Sequence, residues 1–309
     1  MTPRYALVLA GAISRVYHHG SSLTPQSQHI YMGKEFPFTP VEITGAAINK
    51  HIIQANGGEA SVDTFLHCWN HELESRLRAV YNTTLRADLF EDNRRVQRDF
   101  TLNSPHDKMK HRARRNFLRS DWRQVSWAIS ISRAIGLLMK HCRRNSVASS
   151  ASSSCYDAVI VYRPDVMLIK DLNVSEILEN RAHSRNITQG KARKSVFVGK
   201  WMNGHGDLHL IMPFSAAERF GETVIDFLRR RDNARAHAWL PEIFKHLNLA
   251  VEMDDIRPGW DEEVYRKIPW APMTCNGKEA FESYGMTDRD WQQLGRIEYS
   301  NCKAAEQSV

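Results

Sequence analysis

The segment Tyr156–Leu172 constrains the fold more than any other part of the chain. An apolar run, Ala158–Tyr162, leads directly into Arg163–Asp165, and a second apolar run, Val166–Ile169, follows. A short apolar run of this kind indicates a buried strand, as found in sheets that are covered on both faces. In open α/β sheets, ligands bind outside the carboxyl ends of the strands. The charged tripeptide therefore marks the predicted ligand-binding end of this strand.

Further apolar segments alternate along the chain as strands and helices do in α/β proteins. Strands are predicted at Tyr5–Leu9, Val62–His67, Ser195–Gly199 and Val251–Ile256, an apolar run at Leu208–Met212, and helices at Ser120–His141 and Trp239–Leu249. The pattern predicts an α/β sandwich whose central, mainly parallel sheet is flanked by helices. With 309 residues, 42% of them hydrophobic, the chain can bury a full core as one large domain or two small ones. We predict a single domain over residues 1–309, with a low-complexity loop at 145–154 and a frayed tail at 298–309.

The charge balance favours an anionic partner. The net charge is +7 and the isoelectric point is about 9.2, which suits a nucleotide, a sugar phosphate, a nucleic acid or an acidic membrane surface. The basic run Lys108–Arg119 is interpreted as a solvated face or as a flap over a diphosphate. It carries no RNA- or DNA-binding motif, so we do not expect a nucleic-acid partner. The basic surface permits peripheral membrane contact without requiring it.

Cysteine usage and the absence of targeting signals predict a cytoplasmic protein. The five cysteines are widely spaced and form no CxxC pair, which indicates free thiols in a reducing compartment. They are Cys68, Cys142, Cys155, Cys275 and Cys302. No apolar run is long enough to span a membrane, and Tyr5–Ile13 is interpreted as a first strand rather than a signal peptide. The sequons at Asn82, Asn173 and Asn186 are then chance matches.

The order of residues around Arg163–Asp165 resembles a pattern of GT-A-type nucleotide-sugar glycosyltransferases. In that pattern a hydrophobic strand precedes Asp-x-Asp, and a second hydrophobic strand and Asp-Leu follow, here Asp171 and Leu172. The resemblance implies that Asp165 helps to hold a divalent cation, Mn²⁺ or Mg²⁺, on the donor's diphosphate. Arg163 replaces the first Asp, and either binds the diphosphate itself or orients Asp165. The alternative is a structural Arg–Asp pair.

A second stretch, Asp63–Asn70, reads D-x-F-x-H-x-W-N. It resembles a run in bacterial and viral proteins classed as glycosyltransferases of lipopolysaccharide, capsular and related surface glycans. Further matches in order are Leu7–Gly11 with Arg15, Arg163–Asp165, Asp207, and Pro241-Glu242 with His246-Leu247. The resemblance covers about residues 5–256. It implies a GT-A-like, Rossmann-type sandwich, a nucleotide-sugar donor, and a glycan or glycolipid acceptor.

Individual residues of these matches have expected roles in nucleotide-sugar binding. Gly11 would let the backbone approach the nucleotide closely, and Arg15 would contact phosphate. Asp63 would contact the base or ribose, or would instead be a buried carboxylate at a strand start. Arg163 and Asp165 would lie beside the diphosphate. From the sequence alone, Asp165→Ala is expected to abolish transfer with little change in melting temperature.

Two carboxylates compete for the catalytic role. An inverting transferase needs a base to deprotonate the acceptor hydroxyl, and Asp207 and Glu242 are the candidates. A retaining enzyme needs no base in that place. Glu242 has a structural alternative as an acid in the first turn of a helix, favoured by the helix dipole. The rival function is a non-catalytic, basic nucleotide- or nucleic-acid-binding module on the same fold.

Overall fold

Eleven strands are assigned in the described part of the chain. The computed structural model describes residues 2–12, 30–31, 34–35, 40–102, 122–146, 155–168, 170–184, 195–201, 204–229, 236–253 and 262–264. In chain order the strands are β1 (Tyr5–Gly11), β2 (Ile30–Tyr31), β3 (Lys34–Glu35), β4 (Val62–Cys68), β5 (Leu85–Phe90), β6 (Ala158–Tyr162), β7 (Val166–Leu168), β8 (Ser195–Trp201), β9 (Gly204–Pro213), β10 (Ala250–Met253) and β11 (Glu262–Val264).

Seven α-helices alternate with these strands within the described residues. They are α1 (Pro40–Ile48), α2 (Glu74–Val80), α3 (Asn93–Leu102), α4 (Trp122–Ser146), α5 (Val174–Ser184), α6 (Phe214–Arg229) and α7 (Ala236–His246). A π-helical turn at Asn49–Ile53 and short 3₁₀ turns continue the chain from α1 toward β4.

Seven of the strands form one central sheet in the order β10-β8-β9-β6-β1-β4-β5. The pairs β1–β4, β1–β6, β4–β5 and β8–β10 are parallel, whereas β9 runs antiparallel to both of its neighbours. The strand pairing therefore confirms the predicted α/β fold and its mainly parallel sheet. The parallel strands β6, β1, β4 and β5 bring their carboxyl ends to one edge of the sheet.

Both faces of the sheet are buried, which explains why β1 is a continuous apolar run. Successive side chains of a strand point to opposite faces. Ala6, Val8 and Ala10 accordingly pack with residues of α4, α6 and α7, while Leu7 and Leu9 pack with residues of α1, α2 and β7. The sheet is thus held between two helical layers.

The structure corrects several predicted boundaries. Strand β6 has the predicted bounds, but β5 lies in a polar stretch for which no strand is predicted. Helix α4 continues to Ser146, so residues 145 and 146 are helical; the rest of the predicted low-complexity loop and the predicted C-terminal tail lie outside the described residues. Helix α7 begins at Ala236 rather than Trp239, which places Pro241 inside the helix.

The prediction of free thiols was wrong for one pair of cysteines. Cys142, near the end of α4, forms a disulfide with Cys155, which precedes β6. Cys68 is a buried free thiol, and the remaining two cysteines lie outside the described residues. No helix in the described ranges has the length and apolar character needed to cross a bilayer.

Candidate functional site

The carboxyl edge is the edge of the sheet at which β6, β1, β4 and β5 end. Gly11, Cys68 and Phe90 lie at the same level of their parallel strands, because Gly11 pairs with Cys68 and Cys68 pairs with Phe90. Strand β6 ends two residues lower, since Tyr162 pairs with Leu9. The tripeptide that follows Tyr162 therefore rises beside the end of β1, as the sequence analysis predicted.

Arg163 and Asp165 form a bidentate ion pair at this edge. The Nε and Nη2 groups of Arg163 donate to Oδ1 and Oδ2 of Asp165, both at 3.0 Å. The Asp165 side chain is 2% exposed, and that of Arg163 is 13% exposed. Arg163 is thus the member of the pair with more access to a ligand, and Asp165 fixes the orientation of its guanidinium group.

Gly11 closes β1 with a backbone conformation that favours glycine. Its φ is +140°, a value that L side chains rarely adopt. A Cβ atom there would lie 3.7 Å from Cδ of Pro164 and 4.0 Å from Cδ1 of Trp127. The Gly11 carbonyl also accepts a hydrogen bond from the backbone N–H of Trp69, at 3.2 Å. Gly11 therefore lies in contact range of the Arg163–Asp165 turn and beside an indole.

The first half of β9 extends past the end of β6 toward the same edge. Because β9 is antiparallel and Tyr162 pairs with His209, the backbone of Asp207 lies beyond the last paired residue of β6. The pairing of β9 with β8 also shifts here, so that several residues of β9 face the single residue Gly199. Such bulges redirect strands next to functional sites. The structure brings the backbone of Asp207 to the carboxyl edge.

A buried histidine links β4, β5 and α4 at this edge. The His67 side chain is fully buried; its Nδ1 lies 2.7 Å from Oγ of Ser130, and its Nε2 lies 3.0 Å from Oε2 of Glu91. The same Glu91 oxygen is 3.3 Å from Nε of Arg133. Trp69 packs edge-on against the imidazole, with ring centroids 4.5 Å apart.

The protonation of this network follows from its partners. Burial lowers the pKa of His67, an effect that its hydrogen bond to Glu91 partly offsets. The same hydrogen bond lowers the pKa of Glu91, with the Arg133 cation adding to the effect. An ionised Glu91 can only accept, so Nε2 of the neutral imidazole carries the proton, and Nδ1 accepts from Ser130. The network presents a partly exposed carboxylate, held in one orientation, at the carboxyl edge.

Asp63 does not join this group. It lies near the start of β4, at the opposite, amino edge of the sheet, where Ala6 is its neighbour in β1. Its Oδ2 accepts hydrogen bonds from Arg4, at 2.8 Å, and from the Tyr156 hydroxyl, at 2.7 Å, while Arg86 donates to Oδ1. Burial and this hydrogen bond raise the pKa of Tyr156. The contacts match the structural alternative, a buried carboxylate at a strand start.

Of the remaining predicted site residues, the structure describes Glu242 but not Arg15. Glu242 is exposed in the middle of α7, beyond its first turn, so its interpretation as an acid in the first turn of a helix was wrong. Arg15 and the basic run Lys108–Arg119 lie outside the described residues. Their expected contacts with phosphate stay predictions.

The described residues do not form a donor set for Mn²⁺ or Mg²⁺. Both carboxylate oxygens of Asp165 are engaged by Arg163, so a cation would have to displace a guanidinium group from them. Nowhere in the described ranges do three or more His, Cys, Asp or Glu side chains cluster in a way that could hold a metal ion. Hard divalent cations prefer several oxygen ligands, and the described site does not fit that preference.

Sequence reasoning missed Glu91 and Ser130. Glu91 directly follows β5, and its carboxylate enters the site only because β5 pairs with β4. The alternation in Leu85–Phe90 was the available signal, but the surrounding polar residues obscured it. Ser130 lies on the buried face of α4 and has no local signature of a role.

Comparisons with known proteins found weak structural similarity and no match in sequence. No family model and no curated protein matches this sequence. A 4-diphosphocytidyl-2C-methyl-D-erythritol synthase from Anaerococcus prevotii is 8% identical with a TM-score of 0.39, over 82% of this chain and 87% of that chain. Mouse xyloside xylosyltransferase 1, in its apo form, is 8% identical with a TM-score of 0.36, over 81% and 78%. Likeness at this level carries no information about function.

Proposed function

We propose that this protein is a glycosyltransferase that moves a sugar from a nucleotide-diphosphate donor to a glycan or glycolipid acceptor. The observation that carries the proposal is the buried Arg163–Asp165 pair, which lies beside Gly11 at the carboxyl edge. This is the part of an α/β sheet at which phosphorylated ligands bind. The resemblance of the surrounding sequence to nucleotide-sugar glycosyltransferases supplies the reaction type.

A ligand role explains the pair better than a purely structural role. Buried ion pairs contribute little net stability, and apolar side chains of similar volume often replace them without loss. A guanidinium group fixed by two hydrogen bonds is, by contrast, well suited to bind a diphosphate through two parallel contacts. In the proposal Arg163 binds the diphosphate and stabilises the charge that develops on the leaving nucleotide. Asp165 positions Arg163.

Two further carboxylates take part in the proposed reaction. Glu91 is ionised and partly exposed at the carboxyl edge, and it can accept hydrogen bonds from hydroxyl groups of the donor. Asp207 is the preferred base, because the backbone pairing brings it to this edge whereas Glu242 lies within a helix. As the base takes the acceptor's proton, the acceptor oxygen bonds to the sugar's anomeric carbon and the bond from that carbon to the diphosphate breaks.

A thermal-shift assay tests the proposal. The panel consists of UDP-, GDP-, CMP- and dTDP-sugars, each with and without Mn²⁺. A ligand at one hundred times its Kd stabilises the native state by about 2.7 kcal/mol. With an unfolding entropy of about 2.1 cal/mol/K per residue, this corresponds to a shift of about 4 °C for a chain of 309 residues. We expect one nucleotide to stabilise selectively and its sugar to be released or transferred.

Two results would overturn the proposal. One is the absence of any shift or turnover with every donor. The other is salt-dependent binding to polynucleotide without sugar turnover, which would favour the non-catalytic binding module. The metal arm is independent of both: because Arg163 engages both carboxylate oxygens of Asp165, we expect Mn²⁺ to add little to the shift.

A further inference from the structure

The disulfide between Cys142 and Cys155 bears on the environment in which the chain matures. It joins the end of α4 to the residue before Tyr156, across a segment of twelve residues, Arg143–Ser154. Disulfides persist in oxidising compartments and are rare where glutathione and thioredoxin keep thiols reduced. The expectation of a cytoplasmic protein depended on treating these cysteines as thiols, so the disulfide removes one of its supports.

An exposed sequon is a second and independent feature of such a compartment. Asn82-Thr83-Thr84 lies in the turn between α2 and β5, and Asn82 and Thr83 are exposed. We infer that the chain matures in an oxidising compartment, where Cys142 and Cys155 are joined and Asn82 carries an N-linked oligosaccharide. The inference does not depend on the proposed glycosyltransferase activity.

The position of Asn82 allows a glycan without obstructing the candidate site. The turn precedes β5, and Thr84 is anchored at the start of the neighbouring strand: its carbonyl accepts from the Thr64 backbone N–H at 2.8 Å. Its hydroxyl lies 2.9 Å from that of Thr64. Asn82 is therefore near the amino edge, at the opposite end of the parallel strands from Arg163. An oligosaccharide there would extend into solvent away from the carboxyl edge.

Asn173 provides an internal contrast, because its sequon has a structural explanation. Its Oδ1 accepts hydrogen bonds from the Ser175 hydroxyl, at 2.9 Å, and from the Glu176 backbone N–H, at 3.2 Å, which caps the start of α5. Asn173 is half-buried between the fully buried Leu172 and Val174. We therefore expect Asn173 to remain unmodified.

Both modifications have ordinary co-reactants in an oxidising lumen. In disulfide formation the two thiols lose two electrons and two protons to the disulfide of an oxidoreductase, which becomes a dithiol. In glycosylation the Asn82 amide nitrogen bonds to the anomeric carbon of a lipid-linked oligosaccharide diphosphate. The bond from that carbon to the diphosphate breaks, the lipid diphosphate leaves, and the amide proton passes to the transferring enzyme's base.

Site mapping of the full chain, purified from the cells that naturally make it, tests the inference. Free thiols are alkylated under denaturing conditions before any reduction, and N-glycans are removed by peptide N-glycosidase in heavy-oxygen water. We expect mass spectrometry to find Cys142 linked to Cys155, Cys68 alkylated, and Asn82 converted to a heavy-oxygen-labelled Asp. Peptide-level mapping keeps this result separate from any modification at Asn186.

A matched pair of variants completes the test. Asn82→Gln should abolish the label on its peptide while leaving the melting temperature unchanged, and Asn173→Gln should leave the Asn82 label in place. Alkylation of Cys142 and Cys155 without prior reduction would overturn the inference. An unlabelled Asn82 in protein with the disulfide intact would equally overturn it.

Discussion

The substitution Asp165→Ala probes the buried ion pair at the carboxyl edge. It leaves the guanidinium group of Arg163, 13% exposed, without the carboxylate that accepts two of its hydrogen bonds. Removing one partner of a buried pair costs about 3–5 kcal/mol, because the remaining charge is uncompensated. This replaces the sequence-based expectation of a nearly unchanged melting temperature, since burial of both side chains could not be known from the sequence.

The cost converts to a measurable shift in melting temperature. The unfolding entropy is about 2.1 cal/mol/K per residue, so each kcal/mol lost lowers the melting temperature of a 309-residue chain by about 1.5 °C. For Asp165→Ala this gives a decrease in melting temperature of about 5–8 °C. Differential scanning calorimetry is the assay. Asp88→Ala is the matched control. Arg78 and Asp88 also form a bidentate ion pair, but the Arg78 side chain is 52% exposed.

An ion pair with one solvent-exposed partner contributes little to stability, so the control should lose less than about 2 °C. The double variant Arg163→Met/Asp165→Leu removes both charges and should melt close to the unmodified protein. Equal melting temperatures for Asp165→Ala and Asp88→Ala would refute the reasoning, because burial would then make no difference.

Three further substitutions test other parts of the structure. Gly11→Ala should lower the free energy of unfolding in urea by about 1–3 kcal/mol, because φ is +140° at this position. Steric crowding is not the cause, since a methyl group has room there. An unchanged urea midpoint would contradict that backbone conformation. Gly221→Ala should also lower the free energy of unfolding by about 1–3 kcal/mol, because its Cβ would lie 2.5 Å from Cγ2 of Ile135. The change Ile135→Ala should then destabilise the Gly221→Ala variant less than it destabilises the unmodified chain. Burial lowers the pKa of His67 below 6.5. As the pH falls below about 6.5, His67 therefore takes up a proton in the unfolded chain but not in the native protein, and the free energy of unfolding decreases. His67→Gln should remove this decrease, which is at most about 1.4 kcal/mol per pH unit. Urea midpoints that change in parallel for the two proteins between about pH 7.5 and 5.5 would contradict the lowered pKa of His67.

Much of the fold was predictable because both faces of the central strands are buried. The run Ala158–Tyr162 has no polar interruption, and its predicted bounds match β6. Strand β5 was not predictable in the same way, since it is an edge strand whose side chains are mostly only half-buried. The disulfide was missed because Cys142 and Cys155 are 13 residues apart and form no CxxC pair, so their spacing alone does not indicate that they meet.

The candidate site was predictable where it depends on a strand end, and not where it depends on packing between elements. Arg163 and Asp165 follow a strand directly, so their location at the carboxyl edge follows from the strand itself. For Asp63 the sequence allowed a contact with the base or ribose or a buried carboxylate at a strand start, and only the contacts with Arg4, Arg86 and Tyr156 favour the second alternative. Glu91 becomes a neighbour of His67 only through the pairing of β5 with β4.

The most direct test of the central claim is a calorimetric titration of the stabilising nucleoside diphosphate into two proteins, the unmodified chain and Arg163→Met/Asp165→Leu. Hydrogen bonds to charged groups contribute about 1.5–3 kcal/mol, so the account predicts a Kd about 10- to 100-fold higher for the double variant, at a similar ligand-free melting temperature. An equal Kd for two equally stable proteins would contradict the claim that Arg163 binds the diphosphate at the carboxyl edge.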